Sequence, residues 1–235
     1  MTIELFREDS YLKECDATVI SLDERGICLD RTIFYPRGGG QPGDSGTIVG
    51  SDGVETPITD TIKDRETGDH LHLPAEGAPL PVAGDKVTLR IEWERRYRLM
   101  RMHSCMHLLC AVIPAGVTGG SVREDSARLD FDLPDPPDKL EIEEALKRLI
   151  AENHPMRLEW ISDEELEQQP ELVRTMSVKP PTGVGKVRLV RFEGVDLQPC
   201  GGTHVAATGE IGQVRVRKIE KKGKKNRRIT VEYCK

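Results

Sequence analysis

Twenty consecutive residues, from Glu94 to Ile113, contain neither glycine nor proline and divide the chain into two parts with different patterns. Within this run the apolar residues recur at spacings of three and four, as they do along the buried face of a helix. These residues are Leu99, Met102, Met106, Leu109 and Ile113. Pro114 and Gly116 follow, and both residue types end helices. The pattern therefore predicts one long helix near the middle of the chain.

The part before this helix has the pattern of short strands. Its apolar or alternating runs are separated by turn residues, and none has a convincing helical period. The runs that we predict to be strands are Ala17–Leu22, Gly26–Asp30, Thr47–Val49, Ile58–Ile62 and Lys86–Trp93. A succession of short strands without helices is typical of a small β-barrel. We expect residues 1–92 to form such a barrel, interrupted by a glycine-rich segment.

Strands and helices are mixed in the part after the long helix. A second helix is predicted from about Lys139 to Asn153, because Pro136, Pro137 and Asp138 are typical of a helix start. The predicted strands are Ser126–Leu133, Met156–Ile161, Val187–Phe192, Gly212–Ile219 and Arg228–Tyr233. We expect residues 93–235 to form an α+β domain, so the fold class of the whole chain is α+β.

Composition and charge narrow the class of protein. No apolar run approaches the roughly 18–20 residues that a membrane-spanning helix needs. Charged residues such as Glu4 and Arg7 interrupt the N-terminus, where a signal peptide would be apolar. We therefore expect a cytoplasmic protein, and its six irregularly spaced cysteines should be thiols or metal ligands rather than disulfides. The net charge of −6 argues against general coating of nucleic acid but does not exclude a local basic patch.

Two pairs of metal-binding residue types share one spacing. His103 and His107 are four residues apart on the predicted helix, so both imidazoles project from one side, one turn apart. Nearly a hundred residues later, Cys200 and His204 have the same spacing around two glycines, which favour a tight loop. Three imidazoles and one thiolate suit zinc better than magnesium or calcium, which prefer oxygen ligands. The four residues are therefore predicted to hold one zinc ion per chain.

Two other interpretations of these residues stay open at this point. The pairs could be unrelated, with the histidines satisfied by hydrogen bonds and the cysteine simply buried. The zinc could also be purely structural, because four protein ligands normally close a zinc site. A metalloprotease is not favoured, since Ser104 stands where the helix motif of that class has its glutamate.

A basic segment lies near the C-terminus. Nine of the fourteen residues from Arg215 to Arg228 are lysine or arginine. We predict a hairpin tip that contacts phosphates through Lys221, Lys222, Lys224, Lys225, Arg227 and Arg228. The alternative is a solvated charged turn.

Other basic side chains and two histidines are further candidates. Four arginines at the start of the long helix are candidates for extending the basic surface: Arg95, Arg96, Arg98 and Arg101. His70 and His72 alternate as they would on a strand, and we expect them to be surface residues rather than a second metal site.

Three segments, in order along the chain, are similar to motifs of alanyl-tRNA synthetase editing domains. They are the glycine-rich segment from Thr32 to Gly46, the pairs His103/His107 and Cys200/His204, and the basic segment from Lys218 to Ile229. No residues are left for an aminoacylation domain, so the chain resembles the free-standing editing proteins of the AlaX type that keep the glycine-rich domain. The threonyl-tRNA synthetase editing region shares the fold of the second domain, but the glycine-rich segment favours the alanyl family.

The resemblance implies a zinc-dependent hydrolase. Its partner would be alanine tRNA mischarged with serine, or secondly with glycine, and it would cleave the aminoacyl ester. The need for such an enzyme has a physical reason. A pocket shaped for alanine cannot exclude the smaller glycine, and a hydrophobic pocket rejects an added hydroxyl by only about 100-fold. A second site that requires the hydroxyl supplies the missing discrimination.

Residues of the glycine-rich segment are candidates for substrate contacts in that reaction. The Thr32 hydroxyl can both donate and accept a hydrogen bond and is our candidate for contacting the serine hydroxyl. Its alternative role is that of a β-branched strand residue. Gln41 is a candidate for positioning the substrate, and Gly38, Gly39 and Gly40 would let the backbone approach it closely.

Two competing functions also fit these features. The competing functions are a non-catalytic RNA-binding module with a structural zinc and an editing hydrolase for another aminoacyl-tRNA. The sequence identifies no general base.

Overall fold

A computed structural model of the protein describes residues 2–64, 66–176 and 185–234. The chain divides into two compact units, an N-terminal unit of Met1–Tyr97 and a C-terminal unit of Arg98–Lys235. The domain boundary near residue 92 stays a prediction. None of the helices in the described residues combines the length and the apolar character that crossing a bilayer requires.

Six strands of the N-terminal unit form a closed barrel, which confirms the predicted architecture of this part. Together with two strands outside the barrel, the strands described in this unit are β1 (Ile3–Glu4), β2 (Glu14–Asp23), β3 (Gly26–Leu29), β4 (Arg31–Thr32), β5 (Gly46–Gly50), β6 (Glu55–Lys63), β7 (His70–Pro74) and β8 (Lys86–Ile91). Around the barrel their order is β2-β3-β7-β6-β5-β8, while β1 and β4 pair with each other in parallel. A 3-10 helix, Leu5–Arg7, follows β1.

The residue types in the barrel core determine which strands the sequence pattern predicts. Strand β8 alternates between exposed and buried residues, and Val87, Leu89 and Ile91 point into the core. The sequence pattern does not predict strand β7, since its buried residues include His70 and His72. The expectation that these histidines lie on the surface is wrong. The interior accepts His72 because its Nδ1 lies 3.0 Å from the Ile27 carbonyl oxygen and its Nε2 lies 2.8 Å from the Thr32 hydroxyl.

The predicted long helix is confirmed as α1 (Trp93–Val112). All five residues of its predicted apolar face are buried. The preceding strand ends before its predicted last residue, Trp93, which is instead the first residue of the helix. The helical hydrogen bonding continues to Ile113, whose amide donates to the Leu109 carbonyl, and ends where Pro114 has no amide hydrogen to donate.

The C-terminal unit is a mixed α+β structure with two sheets, as the predicted fold class requires. Its strands are β9 (Val117–Val122), β10 (Ser126–Asp132), β11 (Met156–Ile161), β12 (Val187–Phe192), β13 (Asp196–Pro199), β14 (Val214–Gly223) and β15 (Asn226–Tyr233). One sheet has the order β14-β15-β10-β9 and the other β11-β12-β13. The helices are α2 (Lys139–Ala151) and α3 (Asp163–Glu167), with 3-10 helices at Pro170–Leu172 and Thr208–Ile211.

Helix α2 begins where its sequence predicts. The Asp138 carboxylate caps it by accepting hydrogen bonds from the amides of Leu140 and Glu141. Further along the helix, the Glu143 side chain accepts a hydrogen bond from the Val216 amide and so joins the helix to β14. This contact helps to seat α2 on the four-stranded sheet.

The C-terminal hairpin is longer than predicted. Strands β14 and β15 pair through the basic segment, leaving only Lys224 and Lys225 as the turn. The predicted hairpin is present, but the strand ends predicted at Ile219 and Arg228 are wrong, because the pairing continues to Gly223 and Asn226. Lysines are tolerated there because β14 is an edge strand whose charged side chains reach solvent while its backbone stays paired.

Candidate functional site

Four side chains from two distant segments converge in the C-terminal unit. The donor atoms of His103, His107, Cys200 and His204 all lie within 4.8 Å of one another, so this group could hold a metal ion. The Cys200 Sγ lies 3.5 Å from Nε2 of His103 and 3.5 Å from Nε2 of His204. The three histidines are buried, and Cys200 is partly exposed. The two pairs are therefore neighbours in the fold, which favours one shared site over two unrelated pairs.

Helix α1 supplies two of these donors and also holds the loop that carries the other two. His103 and His107 are one turn apart, with ring centroids 5.7 Å from each other. Ser104 follows His103, at the position where the metalloprotease helix motif has its glutamate. Its hydroxyl accepts a hydrogen bond from the Val205 amide at 3.1 Å. Because Val205 follows His204 directly, this contact holds the end of the loop against the helix.

A buried arginine holds the beginning of the same loop. The Arg188 side chain donates to the carbonyls of Cys200 and Gly202 at 2.9 and 2.7 Å. Its own carbonyl accepts from the Cys200 amide at 3.2 Å. Arg188 is only 1% exposed, so these bonds are shielded from water. The loop that presents Cys200 is therefore held by both the backbone and the side chain of β12.

The electrostatics of Cys200 and His204 favour the forms that bind metal. Burial by itself raises the pKa of the Cys200 thiol, but the nearby imidazoles of His103 and His204 hold that pKa well below its usual range. Burial holds the pKa of His204 well below its usual range, against the opposing effect of Cys200. A thiolate and a neutral imidazole are the forms that bind metals. Burial by itself lowers the pKa of His107, but the hydrogen bonds to Asp196 and Cys200 raise that pKa to about 9.

The middle of the glycine-rich segment forms a tight turn in the N-terminal unit, exposed at its three glycines. Gly38 and Gln41 exchange two backbone hydrogen bonds, of 3.1 and 2.9 Å. Gly39 and Gly40 between them have φ of +55° and +82°, values that only glycine adopts readily. The side chain of Gln41 is buried beneath the turn.

Sequence comparisons agree with both parts of this arrangement. Residues 4–95 match the family model for class II (A) tRNA synthetases, and residues 187–230 match the threonyl and alanyl tRNA synthetase second additional domain. The alanyl-tRNA editing protein AlaX-M of Methanosarcina acetivorans is 39% identical over 97% of this chain and 98% of that protein. The chain belongs to the AlaX family of alanyl-tRNA editing proteins.

The chain is also similar to another AlaX-M protein and to part of an alanine–tRNA ligase. AlaX-M of Saccharolobus solfataricus is 34% identical over 97% of this chain and 98% of that protein. The alanine–tRNA ligase of Pyrococcus furiosus is 34% identical over 94% of this chain, which corresponds to 24% of the ligase. The resemblance predicted from the three motifs is thus confirmed.

Thr32, the predicted contact for a serine hydroxyl in this AlaX protein, lies in a buried polar network. Its hydroxyl is 2.8 Å from Nε2 of His72 and accepts a hydrogen bond from the Phe34 amide at 3.0 Å. Burial lowers the pKa of His72 to about 4, and Nδ1 of the neutral ring donates to the Ile27 carbonyl. Nε2 is then an acceptor, so the Thr32 proton points to His72. The roles of Thr32 and Gln41 stay predictions.

Of the four arginines at the start of α1, Arg96 is structural, which corrects its assignment to a basic surface, while Arg95, Arg98 and Arg101 are partly exposed and stay candidates. Arg96 is fully buried and forms an ion pair with Asp44, whose carboxylate also accepts from the Tyr35 amide. It thereby fixes both ends of the glycine-rich segment. Arg95 donates a hydrogen bond to the Gly43 carbonyl, and Arg98 pairs with Glu124. Arg101 donates to the Ile211 carbonyl.

The predicted phosphate contacts of the hairpin fall into two groups. Lys221, Lys222, Lys224 and Lys225 are exposed. Arg227 is buried and donates to the carbonyls of Gly223, Asn226 and Pro134, while Arg228 pairs with Asp130 at 2.7 and 2.8 Å. These contacts do not favour Arg227 and Arg228 as tRNA-binding residues, whereas the four lysines stay candidates.

The sequence does not predict two side chains that lie behind the candidate metal ligands. Asp196 and Gln198, both buried, lie beside His107 on the strand that leads to Cys200. The only local signal was the alternation Asp196-Leu197-Gln198 before the predicted ligand, and four residues are too few to define a strand by pattern.

Proposed function

We propose that this protein hydrolyses the ester that joins a wrong amino acid to alanine tRNA, with serine as the main substrate and glycine as the second. The observation that carries the proposal is the convergence of four metal donors in a chain that AlaX editing proteins match over nearly its whole length. Because editing accompanies translation, we expect it to work in the cytoplasm.

The donor set and its spacing fit zinc. Zinc bonds of about 2.0–2.1 Å to nitrogen and about 2.3 Å to sulfur, at a tetrahedral angle, separate the two donors by about 3.6 Å. The observed separations from Cys200 Sγ to His103 and His204 are both 3.5 Å. When bound, zinc supplies Lewis-acid polarisation of the ester carbonyl and lowers the pKa of a coordinated water to about 7.

Residues of the N-terminal unit would select and orient the substrate. We propose that Thr32 accepts a hydrogen bond from the serine hydroxyl, because its own proton is directed to His72. Gln41 would position the aminoacyl group, and the backbone of Gly38, Gly39 and Gly40 would approach it closely. Alanine has no hydroxyl to donate to Thr32 and would not form this hydrogen bond.

A second candidate function is a non-catalytic RNA-binding module with a structural zinc. Four protein donors favour it, since a closed tetrahedral site leaves no position for water or substrate. For the catalytic proposal, three of these four residues would have to be enough to hold the zinc. The exposed lysines of the C-terminal hairpin would contact tRNA phosphates under either function.

Deacylation of alanine tRNA charged with serine, glycine or alanine tests the proposal directly. We expect the zinc-loaded protein to remove serine rapidly and glycine more slowly, and to spare alanine. Cys200→Ser should lose zinc and hydrolysis together, because the stronger thiolate ligand is gone. Cys234→Ser, at an exposed cysteine outside the cluster, is the matched control.

The outcomes separate the candidate functions. Tight zinc and tRNA binding without cleavage of any ester would support the structural module instead. Cleavage of serine from threonine tRNA but not from alanine tRNA would identify an editing hydrolase for another tRNA. Hydrolysis that survives complete removal of zinc would refute the metal-dependent mechanism.

A further inference from the structure

We infer that Asp196 is a positioning residue that fixes the ring of His107 so that Nε2 is its metal-binding atom. The inference deepens the proposed function and rests on the proposed metal site. Asp196 is not one of the four donors, but we expect it to affect the affinity of those donors for zinc.

The first step is the contact between the two side chains. Nδ1 of His107 lies 2.8 Å from Oδ2 of Asp196, and the two side chains are 4% and 0% exposed. An ionised carboxylate can only accept hydrogen bonds, so the proton of a neutral His107 must be on Nδ1. The lone pair of the imidazole is then on Nε2, the nitrogen that remains available to a metal.

The second step is that the carboxylate is itself held in place. Gln198 donates from Nε2 to the same Oδ2 atom at 2.7 Å. Nε2 of Gln198 and Nδ1 of His107 are 3.1 Å apart, as expected for two donors that share one acceptor. Arg174 lies 3.9 Å from the other oxygen, Oδ1, which accepts no hydrogen bond from the described residues. Asp196 is thus aimed at His107.

The third step is the position of Asp196 in the fold. It begins the four-residue strand β13, opposite Phe192 on β12, and Cys200 follows that strand directly. One short segment therefore carries both a loop donor and the residue behind a helix donor. The Phe192 ring, with its centroid 5.6 Å from that of His107, limits rotation of the imidazole. Displacement of this strand would disturb two ligands together.

His204 and His107 differ in the hydrogen bonding of their Nδ1 atoms. Nδ1 of His204 is buried and has no hydrogen-bond partner among the described residues. His107 is paired with a carboxylate, which orients the ring and increases its basicity as a ligand. We therefore expect loss of the Asp196 charge to weaken metal binding although no metal-bonded atom is removed.

Zinc affinity of Asp196→Asn, measured by competition with a chromophoric chelator, tests the inference. Asparagine keeps the size of the side chain and removes its charge. We expect zinc to bind about 10–100-fold more weakly, the usual effect of losing such a partner. Glu159→Gln is the matched control, because Glu159 lies in the same three-stranded sheet and pairs with the partly exposed Arg191, away from the metal donors. It should bind zinc like the unmodified protein.

Two further measurements separate positioning from folding. Thermal unfolding without zinc should be similar for Asp196→Asn and the unmodified protein, while the cobalt(II) absorption spectrum of the variant should change. Nitrogen NMR of the zinc-loaded, unmodified protein should find His107 protonated at Nδ1 and bound through Nε2. This measurement remains decisive if the variant does not fold.

Three results would overturn the inference. One is an unchanged zinc affinity of Asp196→Asn, and another is metal coordination by Nδ1 of His107. Absence of zinc binding by the unmodified protein would overturn the metal site together with this inference. None of these measurements uses tRNA, so failure to cleave an aminoacyl ester would count against the proposed function alone.

Discussion

The Thr32 hydroxyl has a fixed direction because of its two neighbours. It donates to His72 and accepts from the Phe34 amide, which leaves one acceptor position for a further donor. The serine side chain has a hydroxyl that can donate to that position, whereas the side chains of alanine and glycine have no donor. The network therefore supports Thr32 as an acceptor in substrate selection.

Thr32→Val should remove the preference for serine. Serine deacylation should fall about 10-fold or more, since an unpaired buried polar group costs about 1–3 kcal/mol and about 1.4 kcal/mol is tenfold. Thr32→Ser keeps the hydroxyl and should retain most of the preference. Rates for serine- and glycine-charged alanine tRNA give the ratio, and an unchanged ratio in the valine variant would exclude Thr32 as the selecting residue.

His72 should make the free energy of unfolding depend on pH. Burial lowers its pKa from about 6.5 in a solvated chain to about 4 in the fold, so between these values the unfolded state binds more protons. Stability is therefore fully present above about pH 6.5 and is lost as the pH falls toward 4. His72→Gln, compared by thermal unfolding between pH 7.5 and 4.5, should have a shallower slope in this window. Equal slopes for both proteins would contradict this assignment.

At the scale of elements, strand β12 holds the loop that carries Cys200 and His204. Its Arg188 satisfies two loop carbonyls in a buried position, where an unpaired carbonyl is costly. The same strand carries Arg191, which pairs with the partly exposed Glu159 instead. The strand thus offers a buried and a surface arginine for direct comparison.

Arg188→Met should lower the free energy of unfolding by about 1–3 kcal/mol, because the Cys200 and Gly202 carbonyls lose their donor. Zinc should also bind more weakly, as the loop becomes less ordered. Arg191→Met should change stability by no more than about 1 kcal/mol, as expected for a surface ion pair. Denaturant unfolding and zinc competition test both variants, and similar losses in the two would refute a special role for Arg188.

At the scale of the molecule, positive charge is concentrated on a chain that is acidic overall. The net charge is −6, yet the turn of the C-terminal hairpin and the strand beside it expose four lysines: Lys221, Lys222, Lys224 and Lys225. The arginines next to them are engaged in the sheet. If tRNA binds here, its affinity should depend on those lysines and on salt.

Replacing all four lysines with glutamine should weaken tRNA binding and make it less sensitive to salt. The slope of log affinity against log salt should decrease by about one for each phosphate that the variant no longer neutralises. Zinc content and thermal stability should not change, since the side chains are exposed. A double variant, Lys139→Gln with Lys147→Gln on helix α2, controls for the loss of exposed positive charge. Equal weakening in this control would exclude a specific role for the hairpin.

Features that depend on local patterns follow from the order of residues alone. The spacing of apolar residues is enough to identify α1, and helical geometry then places His103 and His107 on one side of it. Alternation along the early strands identifies the barrel. The motif matches are sufficient to identify the family, because they depend on residue types in order and not on contacts.

The neighbours of these residues, in contrast, are set by the folded structure. His72 is buried against Thr32, Arg96 anchors the glycine-rich segment through Asp44, and Asp196 stands behind His107. Each contact joins residues at least forty positions apart, so no local period records it. A buried polar residue is stable only with its partner in place, and that partner is brought by the folding of distant segments.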